Sequence, residues 1–277
     1  MGAPRWVQGN MYIKELLKTQ LKVSRQLSSI ARMHVAMLSP NCDTRKLQLV
    51  DRVLHGDRRP GVYPEVDLSQ IINRETTTHI VDMPTEAFTV TAIELLAICS
   101  LTQQLRPKLA YEFGTGDGRT TRNIALNLPP GGRVITVNIP QEQSIISSIG
   151  SRFRLTPEEQ SITQLWANTK EMSLEEYISA CQFVFVDADH KYDSVIKDSE
   201  SALRLIDKEY GVILWHDALR FGVQRALPEI AAAGSLPIFL IAETNLAMLC
   251  YRNGVAVTPI EWSQRHRSEK RCVVGDK

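Results

Sequence analysis

Residues 111–121 read YEFGTGDGRTT. An apolar run, KLAYEFG at 108–114, ends in glycine, and Gly114, Gly116 and Gly118 then alternate with polar residues. Glycine at such spacing lets the backbone turn tightly and lets a ligand approach the main chain. The next residues, 118–127, have the pattern of a helix whose first amides are free to meet a polar group. The unit reads as strand, turn, helix. It lacks the glycine at position 119 of a dinucleotide fingerprint, where Arg119 stands, and it holds no GxxxxGK[ST] phosphate loop.

The same alternation continues downstream. RVITVNI (133–139), SITQLW (161–166), QFVFVD (182–187) and GVILWHD (211–217) are strand-like. Between them, helical patterns are expected at about 141–153, 173–180, 190–207 and 220–233. LPIFLIA (236–242) and LAMLCYR (246–252) are separated only by Glu243, Thr244 and Asn245, which predicts a closing hairpin. Upstream, TEAFTVTAIELLAICSLTQQL (85–105) predicts a helix with Thr85 at the cap position and Ala92, Leu95, Leu96 and Cys99 on one face. Strands alternating with helices predict an α/β fold, a doubly wound, mostly parallel sheet. In such a sheet ligands bind beyond the carboxyl ends of the strands. Four of these strands end in polar or ionisable groups, at Glu112, Asn138, Asp187 and Asp217.

Composition sets the frame. The chain has 277 residues, 43% hydrophobic and 23% charged, which suits one α/β domain with an appendage. Residues 1–60 hold 11 Lys/Arg against 4 Asp/Glu, and the remainder 21 against 27. A basic arm can serve nucleic acid or a membrane surface; the plainer alternative is a solvated helical face. Residues 10–38 predict that helix, with Ile13, Leu16, Val23, Leu27 and Ile30 as an apolar stripe that must pack on the main domain or a second subunit. Basic groups near 45–59 lack the aromatic partners of base stacking, so no nucleic-acid partner is expected. No apolar run reaches the roughly 18–20 residues of a membrane span. The start lacks the apolar core of a secretory signal, and five scattered cysteines form no CxxC pair, so a reducing cytoplasm is the expected compartment. Cys99 and Cys181 read as buried thiols. The domains expected are a helical and loop extension at 1–81, serving oligomerisation or covering the site, a main domain at 82–260, and a polar tail at 261–277.

The ExGxGxG run at 112–118, with a polar residue closing the second strand about 20 residues on, resembles class I S-adenosylmethionine-dependent methyltransferases, over residues 82–252. The resemblance implies a seven-stranded Rossmann-like sheet with a terminal antiparallel hairpin, and S-adenosylmethionine as cofactor. It implies that Gly114, Thr115, Gly116 and Gly118 lie against the cofactor and that Glu112 organises its amino end through the loop. Asn138 falls where the ribose hydroxyls are held and Asn168 where the adenine is met. Both positions usually carry an acid, and an amide lacks the charge that makes such bonds roughly twice as strong.

FVFVDADHKYD (183–193) followed by GVILWHDA (211–218) is similar to a narrower group, the macrocin O-methyltransferase and cephalosporin hydroxylase relatives, and more distantly to catechol and caffeoyl-CoA methyltransferases. The similarity implies a divalent cation on Asp187 and Asp217, with Asp187 also bordering the cofactor. His216 stands where the macrocin-type relatives carry an acid, and Ala218 where the catechol type carries Asn. His216 is a poor ligand for magnesium and a good one for manganese, iron or zinc. His190 matches a residue held to deprotonate the substrate hydroxyl, a role suited to imidazole. Asp189 reads as a cofactor-edge or capping residue and Asp198 as structural. The expected activity is methylation of a hydroxyl on a small molecule by a homo-oligomer. Spermidine synthases share the scaffold, and a non-catalytic binding or assembly module is the alternative.

Overall fold

The computed structural model describes residues 63–84, 89–144, 148–220 and 222–264. All lie in one compact unit, Pro60–Lys277. The basic helix expected at 10–38, Cys42, Thr85, Phe221 and Cys272 fall outside the described residues.

In chain order the elements are β1 (Glu65–Val66), α1 (Leu68–Ile71), α2 (Ala92–Leu105), β2 (Leu109–Phe113), α3 (Arg119–Leu126), β3 (Arg133–Asn138), β4 (Ile162–Trp166), β5 (Phe183–Val186), α4 (Tyr192–Leu205), β6 (Tyr210–Trp215), α5 (Val223–Gly234), β7 (Phe239–Ile241), β8 (Ala247–Arg252) and β9 (Val255–Val257). The sheet runs β1-β7-β8-β6-β5-β2-β3-β4, with β9 on β8. All five central strands pair in parallel, and β8 runs antiparallel to β6, β7 and β9. This is the doubly wound Rossmann-like sheet the alternation predicts, with the expected hairpin at β7 and β8. Two short strands, β1 and β9, extend it to nine. The sheet therefore begins ahead of residue 82, and packing runs past 260: Trp262 is fully buried and stacks on Tyr210.

The central strands are apolar on both faces because both are covered. On one face Tyr111, Phe113, Val184, Val186 and Trp215 meet Val195, Ala202 and Leu205 of α4 and Leu227 of α5. On the other, Ala110, Phe183, Phe185 and Leu214 meet Leu95, Ile98 and Leu101 of α2 and Ile124 of α3. Cys99, Cys181 and Cys250 are buried free thiols, and burial pushes Cys99 and Cys181 up to about 12.

Three local expectations change. α2 starts at Ala92, capped by Thr91 in a reciprocal box with Glu94, so the described helix begins well after Thr85. Leu96 is 37% exposed, and the buried face is instead Leu95, Ile98, Cys99, Leu101 and Leu105. Among the described residues, the helices expected at 141–153 and 173–180 are represented by 3-10 turns at Gln141–Gln143 and Glu175–Tyr177. Pro140 precedes the first, and Gly150 adopts a φ of +70° that breaks a helical path.

Candidate active site

The parallel ladder brings the strand ends level. Beyond each, the chain keeps one more bond: Gly114 N–H to Val137 O at 2.9 Å, Asp187 N–H to Phe113 O at 2.8 Å and His216 N–H to Val186 O at 3.1 Å. The glycine turn, Asp187 and His216 thus share one edge of the sheet.

Gly114 has φ +95°, and a Cβ there lies 2.2 Å from the carbonyl oxygen of Asp187. Gly116 also has a positive φ, +53°, but nothing lies within 4 Å of its added Cβ. The first glycine is needed by the fold. The second leaves the turn open. Glu112 is fully buried beneath it, accepting from the hydroxyls of Thr121 and, at 2.6 Å, Thr136. Thr115 joins through a 2.8 Å hydroxyl contact with Thr136. Burial pushes the Glu112 carboxyl up to about 8, and the two hydroxyls offset this only in part. Its Oε1 is buried without a partner.

Asn138 and Asn168 lie at neighbouring strand ends, where Ala167 N–H donates to Asn138 O at 2.9 Å. Asn138 Nδ2 donates to Ile139 O at 3.1 Å. Asn168 builds the turn after β4, donating to Glu171 at 2.9 Å and accepting from Lys170 N–H at 3.2 Å.

The ionisable groups form a line. His216 Nδ1 lies 3.0 Å from Asp187 Oδ1, and His190 Nε2 lies 3.5 Å from that oxygen and 3.3 Å from Asp217 Oδ2. At the buried end His216 Nε2 lies 3.4 Å from Glu94 Oε2. Acid and imidazole alternate from Glu94, 1% exposed, out to His190, 34% exposed. β6 stops at Trp215, and Asp217 takes a left-handed φ of +52° that turns the chain over the edge. The His190 loop is tied down by Gly222 N–H on His190 O at 2.9 Å.

The electrostatics follow from this alternation. Hydrogen bonds donated to the Asp187 and Asp217 carboxylates raise His190 to about 9 against the pull of burial. Burial pushes His216 down, but Asp187 and then Glu94 hold it well above its ordinary value. Burial raises Asp187 and Glu94, and the imidazoles reverse both: Asp187 ends lowered, and Glu94, helped by the Thr91 and Asn245 amides, falls to about 2.

Among the described residues, Asp187, His190 and His216 form a group whose donor atoms all lie within 4.8 Å of one another, so their chemistry fits a divalent ion. Asp187 and His216 meet directly, whereas Asp217, the partner the similarity implies for Asp187, joins the cluster across His190. Asp189 ties its loop to α4, accepting from Ser194 Oγ at 2.7 Å and Lys191 N–H at 3.2 Å. Asp198 accepts from Thr169 at 2.6 Å, a structural contact between α4 and the loop after β4. Glu94 went unread in the sequence. Its signal was the Thr91-x-x-Glu94 capping box.

Residues 111–218 match the sequence profile of a family described as a methyltransferase domain, a span shorter than half the chain. No curated protein is significantly similar to the chain. Cofactor-bound Rv0187 from MTB is 17% identical, with 78% of this chain and 100% of that one covered at a TM-score of 0.50. O-methyltransferase TomG from Streptomyces achromogenes, in complex with SAM, is 19% identical over 61% of this chain and 83% of its own, at 0.49. An O-methyltransferase from Bacillus cereus, in complex with SAH, is 19% identical over 60% and 83%, at 0.48. No helix among the described residues is long and apolar enough to cross a membrane. The likeness to Rv0187 is one of fold: the described residues form a Rossmann-like α/β unit around a nine-stranded sheet.

Proposed function

We propose that the chain is an S-adenosylmethionine-dependent methyltransferase acting on a hydroxyl of a small molecule. The observation that carries this reading is the contact between glycine turn and acidic edge: Gly114 packs directly on the Asp187 backbone, three residues from His190. A cofactor held on the open turn at Gly116 would lie on the same sheet edge as that imidazole. The match of 111–218 to a methyltransferase domain spans both pieces.

The cofactor supplies a methyl group activated on a sulfonium sulfur. Gly116 would offer it open main chain beside Thr115, whereas Gly118 is packed against Phe153 and Gly150 and shapes the turn instead. Asn138 and Asn168 would offer amides to its ribose and adenine. Glu112 holds the turn from beneath through Thr121 and Thr136. His190 accepts the proton of the substrate hydroxyl, and Asp187 and Asp217 orient the ring and stabilise the imidazolium it becomes. Positioning the acceptor oxygen in line supplies much of the remaining acceleration. Where a divalent ion is bound, it supplies Lewis acidity, held by Asp187 and His216 with Asp217 beside them.

Calorimetry with S-adenosylmethionine and S-adenosylhomocysteine tests the reading. Both are expected to bind the wild type. Gly116→Ala, with open space for its Cβ, is expected to fold and to lose at least about tenfold in cofactor affinity, the equivalent of about 1.4 kcal/mol. No binding of either compound to the wild type defeats the proposal. One second reading has an observation behind it. Asn138 and Asn168 stand where acids are usual and both bond locally, which suits a binding module that kept the fold. Cofactor binding without methyl transfer to any member of a phenol, catechol and sugar panel favours that module.

A further inference from the structure

We infer that Glu94 is a positioning residue that turns His216 into a nitrogen ligand, so that the Asp187–His216 pair selects a transition-metal ion over magnesium. This rests on the metal-assisted form of the reading above and assigns a function to a helix outside the 111–218 match.

Glu94 belongs to the first turn of α2 and is 1% exposed. Both its oxygens are already committed as acceptors. Oε1 takes Asn245 N–H at 2.7 Å, and Oε2 takes Thr91 N–H at 2.7 Å and the Thr91 hydroxyl at 2.8 Å. A carboxylate fixed by three donors presents only acceptor character to its remaining neighbour. That neighbour is His216 Nε2, at 3.4 Å. Nε2 therefore keeps its hydrogen, and in the neutral ring the lone pair is on Nδ1. Nδ1 faces Asp187 Oδ1 at 3.0 Å. Two donors sharing an ion at bonds of about 2.1 Å and a right angle stand about 3 Å apart. Without an ion, a proton on Nδ1 fills that gap; an ion that takes the lone pair displaces this proton to solvent. A carboxylate on the far nitrogen of a ligating histidine is the usual outer partner that fixes tautomer and orientation. Mixed imidazole and carboxylate donors suit manganese, iron, cobalt or zinc, whereas magnesium calls for oxygen. His190 stays beside the pair as the proton acceptor.

The test uses the chelator-treated full chain titrated with Co(II) or Mg(II), read by calorimetry and by the visible absorption of bound cobalt. The wild type is expected to bind Co(II) at least tenfold tighter than Mg(II). Glu94→Gln is expected to weaken Co(II) by about 10–100-fold. Thr91→Val, which removes one of the three donors on Glu94 and keeps the two backbone N–H donors, lowers the melting temperature and costs cobalt affinity far less than Glu94→Gln. His216→Asp reverses the preference towards Mg(II). Should Glu94→Gln fail to fold, His216→Asn, which leaves the cap intact, must lose the cobalt site. Equal affinities for both ions in the wild type, or Co(II) affinity undiminished in Glu94→Gln or His216→Asn, overturns the inference. The same preparations are titrated with S-adenosylmethionine. Cofactor binding without cobalt binding defeats the metal inference alone, and cobalt binding without cofactor binding upholds it while defeating the methyltransferase reading.

Discussion

Gly114→Ala is expected to destabilise the protein by about 3 kcal/mol or more, combining overpacking with left-handed backbone strain. The added methyl meets Asp187 O at 2.2 Å, Asp187 C at 2.7 Å and Ala188 Cα at 2.8 Å, all unable to swing aside. Moving them separates the ends of β2 and β5, whose ladder continues in the bond from Asp187 N–H to Phe113 O. The denaturation midpoint should fall with the slope unchanged, as for a pure stability effect. Gly116→Ala is the internal contrast, since both glycines have positive φ and differ in what surrounds them. A Gly114→Ala protein as stable as wild type contradicts the close approach of the turn to β5.

His190→Ala is expected to cut turnover by about 10²–10⁴-fold while cofactor affinity stays within about threefold, as for the loss of a general base. Equal losses in both mark a structural histidine. The pH dependence carries a sign. His190 is raised to about 9, and only the neutral ring accepts a proton, so kcat/KM should climb with pH and level off near that value. Stability moves the other way. A histidine with a raised folded pKa contributes fully below its ordinary value of 6.5, and the contribution disappears as pH rises through about 9. Glu94, lowered from 4.5 to about 2, contributes above 4.5 and loses its contribution as pH falls through 2. A chain that becomes more active and less stable across the alkaline limb is the expected signature. A flat kcat/KM across that limb removes His190 from the proton-transfer role.

The sheet was legible because its signals are local and strong. Four-to-six-residue apolar runs such as FVFV reflect strands covered on both faces, and each was bounded by a polar or glycine stop. The level strand ends follow from parallel topology alone, so Asp187, His190, His216 and Asp217 were legible as neighbours. Their order was not. Asp217 meets the cluster through His190, and that depends on a left-handed turn at a non-glycine residue. Glu94 was hidden by its setting, an acid within the apolar run AIELLAIC, and the contact joining it to the site spans 122 residues. The 141–153 stretch misled because its apolar spacing suits a helix while Pro140 and Gly150 oppose one.

The two-residue strand Glu65–Val66 has a consequence beyond length. It pairs with Leu240 and Ile241, and so covers the hydrogen-bonding rim of β7 at the outer limit of the sheet. An uncovered rim of apolar strand is a template for another chain. Trimming the protein to the start of α1 should therefore leave the distant strand-end chemistry in place and yield a molecule that self-associates through β7.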